Sequence, residues 1–246
     1  MKKPLESGKR CAWVAGATGY TGKHLTELLC AAGESVVAHI RPESRSLTSL
    51  TAHFEELGAQ VNTTPWGSGQ FASEMEKHGV THIYALLGTT KAKARAARKD
   101  GVQADYEAVD RGMTLECLNA AMQMSTPPVF VYLSAAGVSA SSRSPYMRVR
   151  WEVEERIRSS GLPFVIAHPA LITGPDREEH RPLERFGDVA SRGIFALARG
   201  IGAGKWADRY ATVSGETLAR GLIGASFDPE IHNRTIGVPE LLKSQI

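Results

Sequence analysis

Cysteine is scarce in this chain. Cys11, Cys30 and Cys117 are the three present among 246 residues, an odd number without a CxxC pair. That argues against a disulfide framework or a cysteine-ligated zinc site and fits a reducing compartment, read here as the cytoplasm. Charge of one sign is lacking too. Lys and Arg total 29 against 26 Asp and Glu, a net +3, too weak a surplus to imply nucleic acid. No uninterrupted apolar run approaches the ~18 residues of a membrane span, so no membrane partner is expected. Met1-Lys2-Lys3 looks like the start of a secretory signal, but residues 4–10 are polar and supply no apolar stretch behind it. The eight histidines show no HExxH or other metal spacing, and no metal is expected. What remains is an ordinary globular composition, 42% hydrophobic and 22% charged.

Strand-like and helix-like segments alternate from the start. Cys11–Ala15 is short and apolar, and a glycine-rich turn follows it. Leu25, Leu28, Leu29 and Ala32 then recur at helical spacing before Gly33. Further strands are expected at 35–40, 59–62, 82–87, 129–133 and 164–168. Helices are expected at 47–57, 102–124 and 145–160, with another around 182–198. Such alternation predicts an α/β fold, a Rossmann-type doubly wound parallel sheet with helices on both faces. Residues 1–9 read as a polar N-terminal extension and 10–246 as a single domain. Within it, 170–210 and the C-terminal part form a small substrate-pocket extension.

The turn after the first strand reads AGATGYTG. Gly16, Gly19 and Gly22 stand between a strand and an amphipathic helix. There the first glycine permits a tight turn, the second lets backbone approach a pyrophosphate, and the third lets helix pack on strand. Thr18, Tyr20 and Thr21 complete the loop. Past the second strand, where a carboxylate would bind the ribose hydroxyls of NAD, the chain has Arg41, with Arg45 nearby. A guanidinium grips a 2′-phosphate bidentately, so NADP(H) is expected over NAD(H).

Ser144-Pro145 is a helix start, with a serine in the capping position and proline in the first turn. Tyr146, Arg150, Val153 and Ile157 then fall on one helical face. Ser134 closes the fifth strand twelve residues before Tyr146. Together the glycine turn, Ser134 and the Tyr146 helix resemble the short-chain dehydrogenase/reductase superfamily. The resemblance is closest to its atypical NmrA-like branch, and within that to the Tat-interacting-protein-type oxidoreductases. Leu87-Gly88-Thr89 within LGTTKAKA, Ala108-Val109-Asp110, and His168-Pro169 followed by Gly174-Pro175 are similar to segments of that branch.

The resemblance implies a catalytic set of Ser134, Tyr146 and the residue four beyond it. Tyr146 would be the general acid/base and Ser134 would hydrogen-bond the carbonyl oxygen. The fourth-residue lysine of the family is Arg150 here, which would orient the nicotinamide ribose and tune Tyr146. Leu87, Gly88, Thr89, His168 and Pro169 would join the cofactor contacts. The family's aspartate after the third strand is replaced by Thr63-Thr64-Pro65-Trp66. The resemblance also implies that helices 102–124 and 145–160 can form a homodimer interface.

Arginine keeps the positive charge but cannot copy a lysine in a proton relay. Two functions therefore stand side by side. One is an NADP(H)-dependent oxidoreductase (or epimerase with a transient hydride) acting on a small carbonyl or alcohol. The other is a non-catalytic NADP(H)-binding regulator. The basic run Lys91, Lys93, Arg95, Arg98 and Lys99 has no interleaved aromatics and reads as a solvated face. Trp206 and the segment 177–185 are candidates for the pocket lining.

Overall fold

The sheet grows outward from β1 (Cys11–Ala15), whose alternate residues feed two cores. The computed structural model describes residues 10–89, 106–173 and 212–246. In chain order follow α1 (Tyr20–Ala31), β2 (Ser35–His39), α2 (Leu47–Glu56), β3 (Gln60–Asn62), α3 (Phe71–Lys77) and β4 (His82–Ala85). Wide π-type turns over Tyr106–Met113 then run into α4 (Thr114–Met122). Next come β5 (Val129–Leu133), α5 (Pro145–Arg158), β6 (Phe164–His168) and β7 (Leu171–Thr173). The C-terminal part holds β8 (Thr212–Ser214), α6 (Gly215–Phe227), β9 (Arg234–Gly237) and α7 (Val238–Lys243).

Seven strands form one sheet in the order β3-β2-β1-β4-β5-β6-β9, and every neighbouring pair is parallel. β7 and β8 make a separate parallel pair. Side chains alternate across a strand, so Ala12 and Val14 face Leu25 and Leu29 of α1 and Leu218 and Leu222 of α6. Trp13 and Ala15 face Phe71 and Met75 of α3, Leu118 of α4, and Val153 and Ile157 of α5. This is the expected doubly wound Rossmann-type sheet, covered on both faces.

Two expectations shift in detail. The fourth strand stops at Ala85, and the described part of the long helix winds in π-type turns over Tyr106–Met113 before it tightens. The C-terminal part was expected to shape a pocket; residues 212–246 also build the sheet itself, with β9 pairing β6 and α6 buried against α1. The basic run, the expected helix 182–198, Trp206 and the segments 1–9 and 177–185 lie outside the described residues.

The strand order reverses direction between β1 and β4, a topological switch point. Ligands of open parallel sheets bind beyond the strand carboxyl ends there.

His82, at the start of β4, is buried and meets the Phe227 ring edge-on at 5.3 Å. Burial, then the Arg10 charge, lower its pKa from 6.5 to about 4. A depressed folded-state value means the unfolded chain takes up this proton first. The stabilisation is therefore complete above pH 6.5 and is lost as pH falls toward 4. Urea unfolding at pH 7 and near the lower limit should differ by about 3 kcal/mol from this group. His82→Gln should flatten that dependence, and an unchanged slope would exclude His82 as its source.

Candidate functional site

At the switch point the loops after β1 and β4 touch. Gly16 has φ +93°, and a Cβ there would lie 2.8 Å from the Leu86 carbonyl oxygen. A Cβ on Gly22 would come within 2.1 Å of the Gly16 oxygen. Side chains at these two positions would fill the space where the α1 N-terminus meets the turn. Thr18 is exposed, Gly19 and Tyr20 half-buried, and Thr21 buried. The Gly19 N–H closes the turn on the Gly16 oxygen at 2.9 Å. Free N–H groups at a helix start beside such a turn suit a pyrophosphate. Arg41 is exposed, two residues beyond the end of β2.

The deeper part of the site is organised by Arg150, which is 5% exposed. Ser144 takes an extended backbone before α5 and Pro145 opens the helix, but the serine side chain makes no capping bond. The helical face expected from spacing is present: Arg150, Val153 and Ile157 are buried and Tyr146 half-buried. Arg150 Nη2 donates to Asp110 Oδ1 at 2.7 Å and to the Leu87 carbonyl at 3.4 Å. Its Nη1 donates to the Leu133 carbonyl at 2.5 Å and to Tyr132 Oη at 3.3 Å. The guanidinium carbon stands 4.8 Å from the Tyr146 ring centroid, a cation–π contact. So Arg150 meets the face of Tyr146 and spends its Nη hydrogens elsewhere.

Asp110 comes from the π-type turns and is fully buried. Its other oxygen accepts the Thr89 N–H at 2.9 Å. One ion pair thus ties the loop after β4 to two helices and the end of β5. Gly88 makes room for it, since a Cβ there would lie 3.0 Å from Arg150 Nη2. Burial pushes the Asp110 carboxyl upward, while Arg150 and the Thr89 N–H pull against it. Burial acts to lower Arg150, but Tyr132, Tyr146 and Asp110 outweigh it and hold the guanidinium charged.

Ser134 is brought to the same helix but one turn further along. Its hydroxyl donates to Glu154 Oε1 at 2.5 Å. His168 Nε2 shares that oxygen at 2.7 Å, and Arg158 Nη2 donates to Oε2 at 2.7 Å. Pro169 is buried and its carbonyl accepts the Ala136 N–H at 2.9 Å. Ser134 and Tyr146 therefore share a helix and a sheet edge, but the Ser134 proton points to Glu154. Sequence reasoning missed both Asp110 as a partner and Glu154. A signal for Glu154 existed: residues 146, 150, 154 and 158 are Tyr, Arg, Glu and Arg at every fourth position, a polar ladder along one helix face.

A dinucleotide fits what is present. The glycine turn is a cradle that side chains would fill. Arg150 Nε is buried with no hydrogen-bond partner among the described residues, a donor awaiting an acceptor such as a ribose oxygen.

Residues 16–194 match the family model described as NAD(P)H-binding. The chain is 30% identical over 218 residues to "Protein fmp52-1, mitochondrial" of Aspergillus terreus, covering 84% of this chain and 85% of the relative. It is 31% identical over 195 residues to "Protein fmp52, mitochondrial" of Aspergillus niger, covering 77% and 76%. Among solved structures, a putative NAD-dependent epimerase/dehydratase from Bacillus halodurans superposes with TM-score 0.65 at 12% identity, covering 95% of this chain and 99% of that one. An oxidoreductase of the short-chain dehydrogenase/reductase family from Burkholderia thailandensis gives 0.59 at 16%, covering 92% and 88%. At these identities the structures speak for the fold alone.

The names of the relatives overturn the cytoplasmic expectation, since they point to mitochondria. Free thiols report a reducing environment, not which compartment supplies it, and a missing apolar stretch bears on secretory signals alone. The glycine turn, the switch-point geometry and the match across most of the chain agree: this chain belongs to the NAD(P)H-binding family.

Proposed function

We propose that this protein is an NADP(H)-dependent oxidoreductase acting on a small carbonyl or alcohol. The observation that carries the reading is the pair of touching loops at the switch point, flanked by exposed Arg41 where a 2′-phosphate would sit. Gly16, Thr18, Gly19, Tyr20, Thr21 and Gly22 hold the pyrophosphate through backbone and hydroxyl groups. Leu87, Gly88 and Thr89 border the next section, kept in place by the Asp110–Arg150 pair. The nicotinamide supplies or accepts the hydride when bound. Arg150 meets the ribose with Nε, and Tyr146 presents its hydroxyl to the substrate oxygen. His168 and Pro169 close the far side of the pocket.

Arg41→Ala is expected to weaken NADPH binding about tenfold or more, the value of one charge-assisted contact. NADH binding should change less than about twofold, because NADH lacks the 2′-phosphate. Fluorescence titration of both nucleotides reads this directly, and equal loss for the two would sink the NADP preference.

A second reading, an NADP(H)-binding regulator without turnover, has one observation behind it. Arg150 and Ser134 both spend hydrogens inward, on Asp110, on backbone and on Glu154. Oxidation of NADPH with a panel of aldehydes and ketones separates the two. Turnover carries the oxidoreductase, and binding without turnover carries the regulator. The names of the relatives support a mitochondrial setting for either.

A further inference from the structure

Glu154 is a carboxylate at 1% exposure that serves two residues at the carboxyl edge of the sheet. Ser134 follows the last residue of β5, His168 closes the neighbouring β6, and both donate to the same oxygen, Oε1. Arg158 takes Oε2 and also bonds Glu155 and Thr235. Burial would raise the Glu154 carboxyl, but the bonds from His168, Ser134 and Arg158 hold it below its ordinary range. It is therefore an anion that receives every proton pointed at it.

That fixes what its two partners can offer a ligand. Ser134 has given its only proton to Glu154 and is 4% exposed, so it has none left for a carbonyl oxygen. His168 is different. Its Nε2 carries the hydrogen bound to Glu154, which leaves Nδ1 with its lone pair when the ring is neutral. Nδ1 has no partner among the described residues, and the side chain is 22% exposed. A purely structural tie between β6 and α5 would be served as well by apolar packing, because burying a carboxylate is costly. A carboxylate behind an imidazole fixes which ring nitrogen carries the hydrogen and how the ring is aimed, as a general acid/base requires. The position also fits. His168 lies at the carboxyl end of the third strand from β1, away from Arg41, about 14 Å along the edge from the glycine turn.

We propose that His168, oriented by Glu154, hydrogen-bonds the substrate oxygen in the place expected of Ser134 and also takes over the proton exchange expected of Tyr146, whose hydroxyl then only orients that oxygen. This rests on the oxidoreductase reading. In the oxidising direction the hydroxyl proton of a secondary alcohol goes to Nδ1. The C–H electron pair leaves as hydride to the oxidised nicotinamide, so the alcohol becomes a carbonyl and the cofactor is reduced. In reverse, the Nδ1–H of the protonated ring returns the proton to the oxygen.

The test is nitrogen-15 NMR of the full chain labelled at histidine, with NADP⁺ loading checked by calorimetry in the same sample. The neutral His168 ring should be the Nε2–H tautomer. In the NADP⁺ complex, 2,2,2-trifluoroethanol, a small alcohol that cannot readily be oxidised, should move the Nδ1 resonance. Glu154→Gln should lose the tautomer and weaken the trifluoroethanol response about tenfold, with NADP⁺ affinity held within about threefold. An Nδ1–H tautomer, or an Nδ1 that ignores the alcohol in loaded protein, overturns the proposal and leaves a structural histidine. Failure of NADP⁺ to bind overturns the oxidoreductase reading itself, and this proposal with it. The tautomer and the alcohol response are both read on the native chain, so the outcome stands even where the Glu154 variant does not fold.

Discussion

Asp110→Ala is expected to lower stability by about 3–5 kcal/mol, because it leaves a buried guanidinium without its counter-ion. Arg150 is 5% exposed and Asp110 fully buried, and they meet at 2.7 Å. Arginine cannot escape the cost by losing its proton. The Thr89 N–H loses its acceptor as well, which frees the loop from the π-type turns and leaves it the 3.4 Å bond from Arg150 to the Leu87 carbonyl. NADPH affinity should therefore fall along with stability. The two effects are separable with the double variant Asp110→Leu, Arg150→Met. Removing both charges restores apolar packing and should recover most of the stability. It should not restore NADPH binding, because the Arg150 Nε donor and the anchor for Thr89 are both gone. Urea unfolding and fluorescence titration measure the two quantities. A loss below about 1 kcal/mol for the single variant would mean that water reaches the pair and screens it.

Arg150 was legible because four-residue spacing from Tyr146 places it on a known helix face. Its partner was not, because Asp110 lies 40 residues earlier and no local rule joins the two. Ser134 was legible because it follows the apolar run 129–133. The destination of its proton depends on Glu154, which approaches only when α5 packs on the sheet.

The fold followed the same division. β1, β2, β4, β5 and β6 are apolar runs flanked by helical periodicity, and their order predicts the sheet. The strands Thr212–Ser214 and Arg234–Gly237 are three and four residues long, two of them polar in each, too short for an alternation to stand out. α3 has seven residues, so its buried pair Phe71 and Met75 was its whole signal. The helix 215–227 offered more, with Ser214 accepting the Thr217 N–H as a cap and Leu218 and Leu222 one turn apart. It was read as part of the pocket because residues 170–210 before it are rich in glycines and charges.

Gly22→Ala should abolish most NADPH binding while the same substitution at Gly33 leaves it intact. Alanine inside a helix ordinarily gains up to about 1 kcal/mol over glycine. Gly22 sits in α1, yet its added Cβ would meet the Gly16 oxygen at 2.1 Å and the Ala17 Cα at 2.9 Å. Both are backbone atoms, so the contact is relieved only by moving the start of α1 away from the turn. That breaks the placement that aims the helix N–H groups at a pyrophosphate. A stability loss of about 2 kcal/mol is the ordinary cost of such overpacking. The affinity loss should be at least about tenfold, a shift of 1.4 kcal/mol. Gly33 stands at the other end of the same helix with φ +77° and nothing within 4 Å of an added Cβ. Alanine there costs about 1 kcal/mol through backbone strain alone. The two variants thus share a destabilised helix and differ in whether the turn is disturbed. If both bind NADPH as tightly as the native chain, the glycine turn is not the nucleotide site. If both lose it equally, binding tracks the stability of α1 and not the close approach of helix to turn.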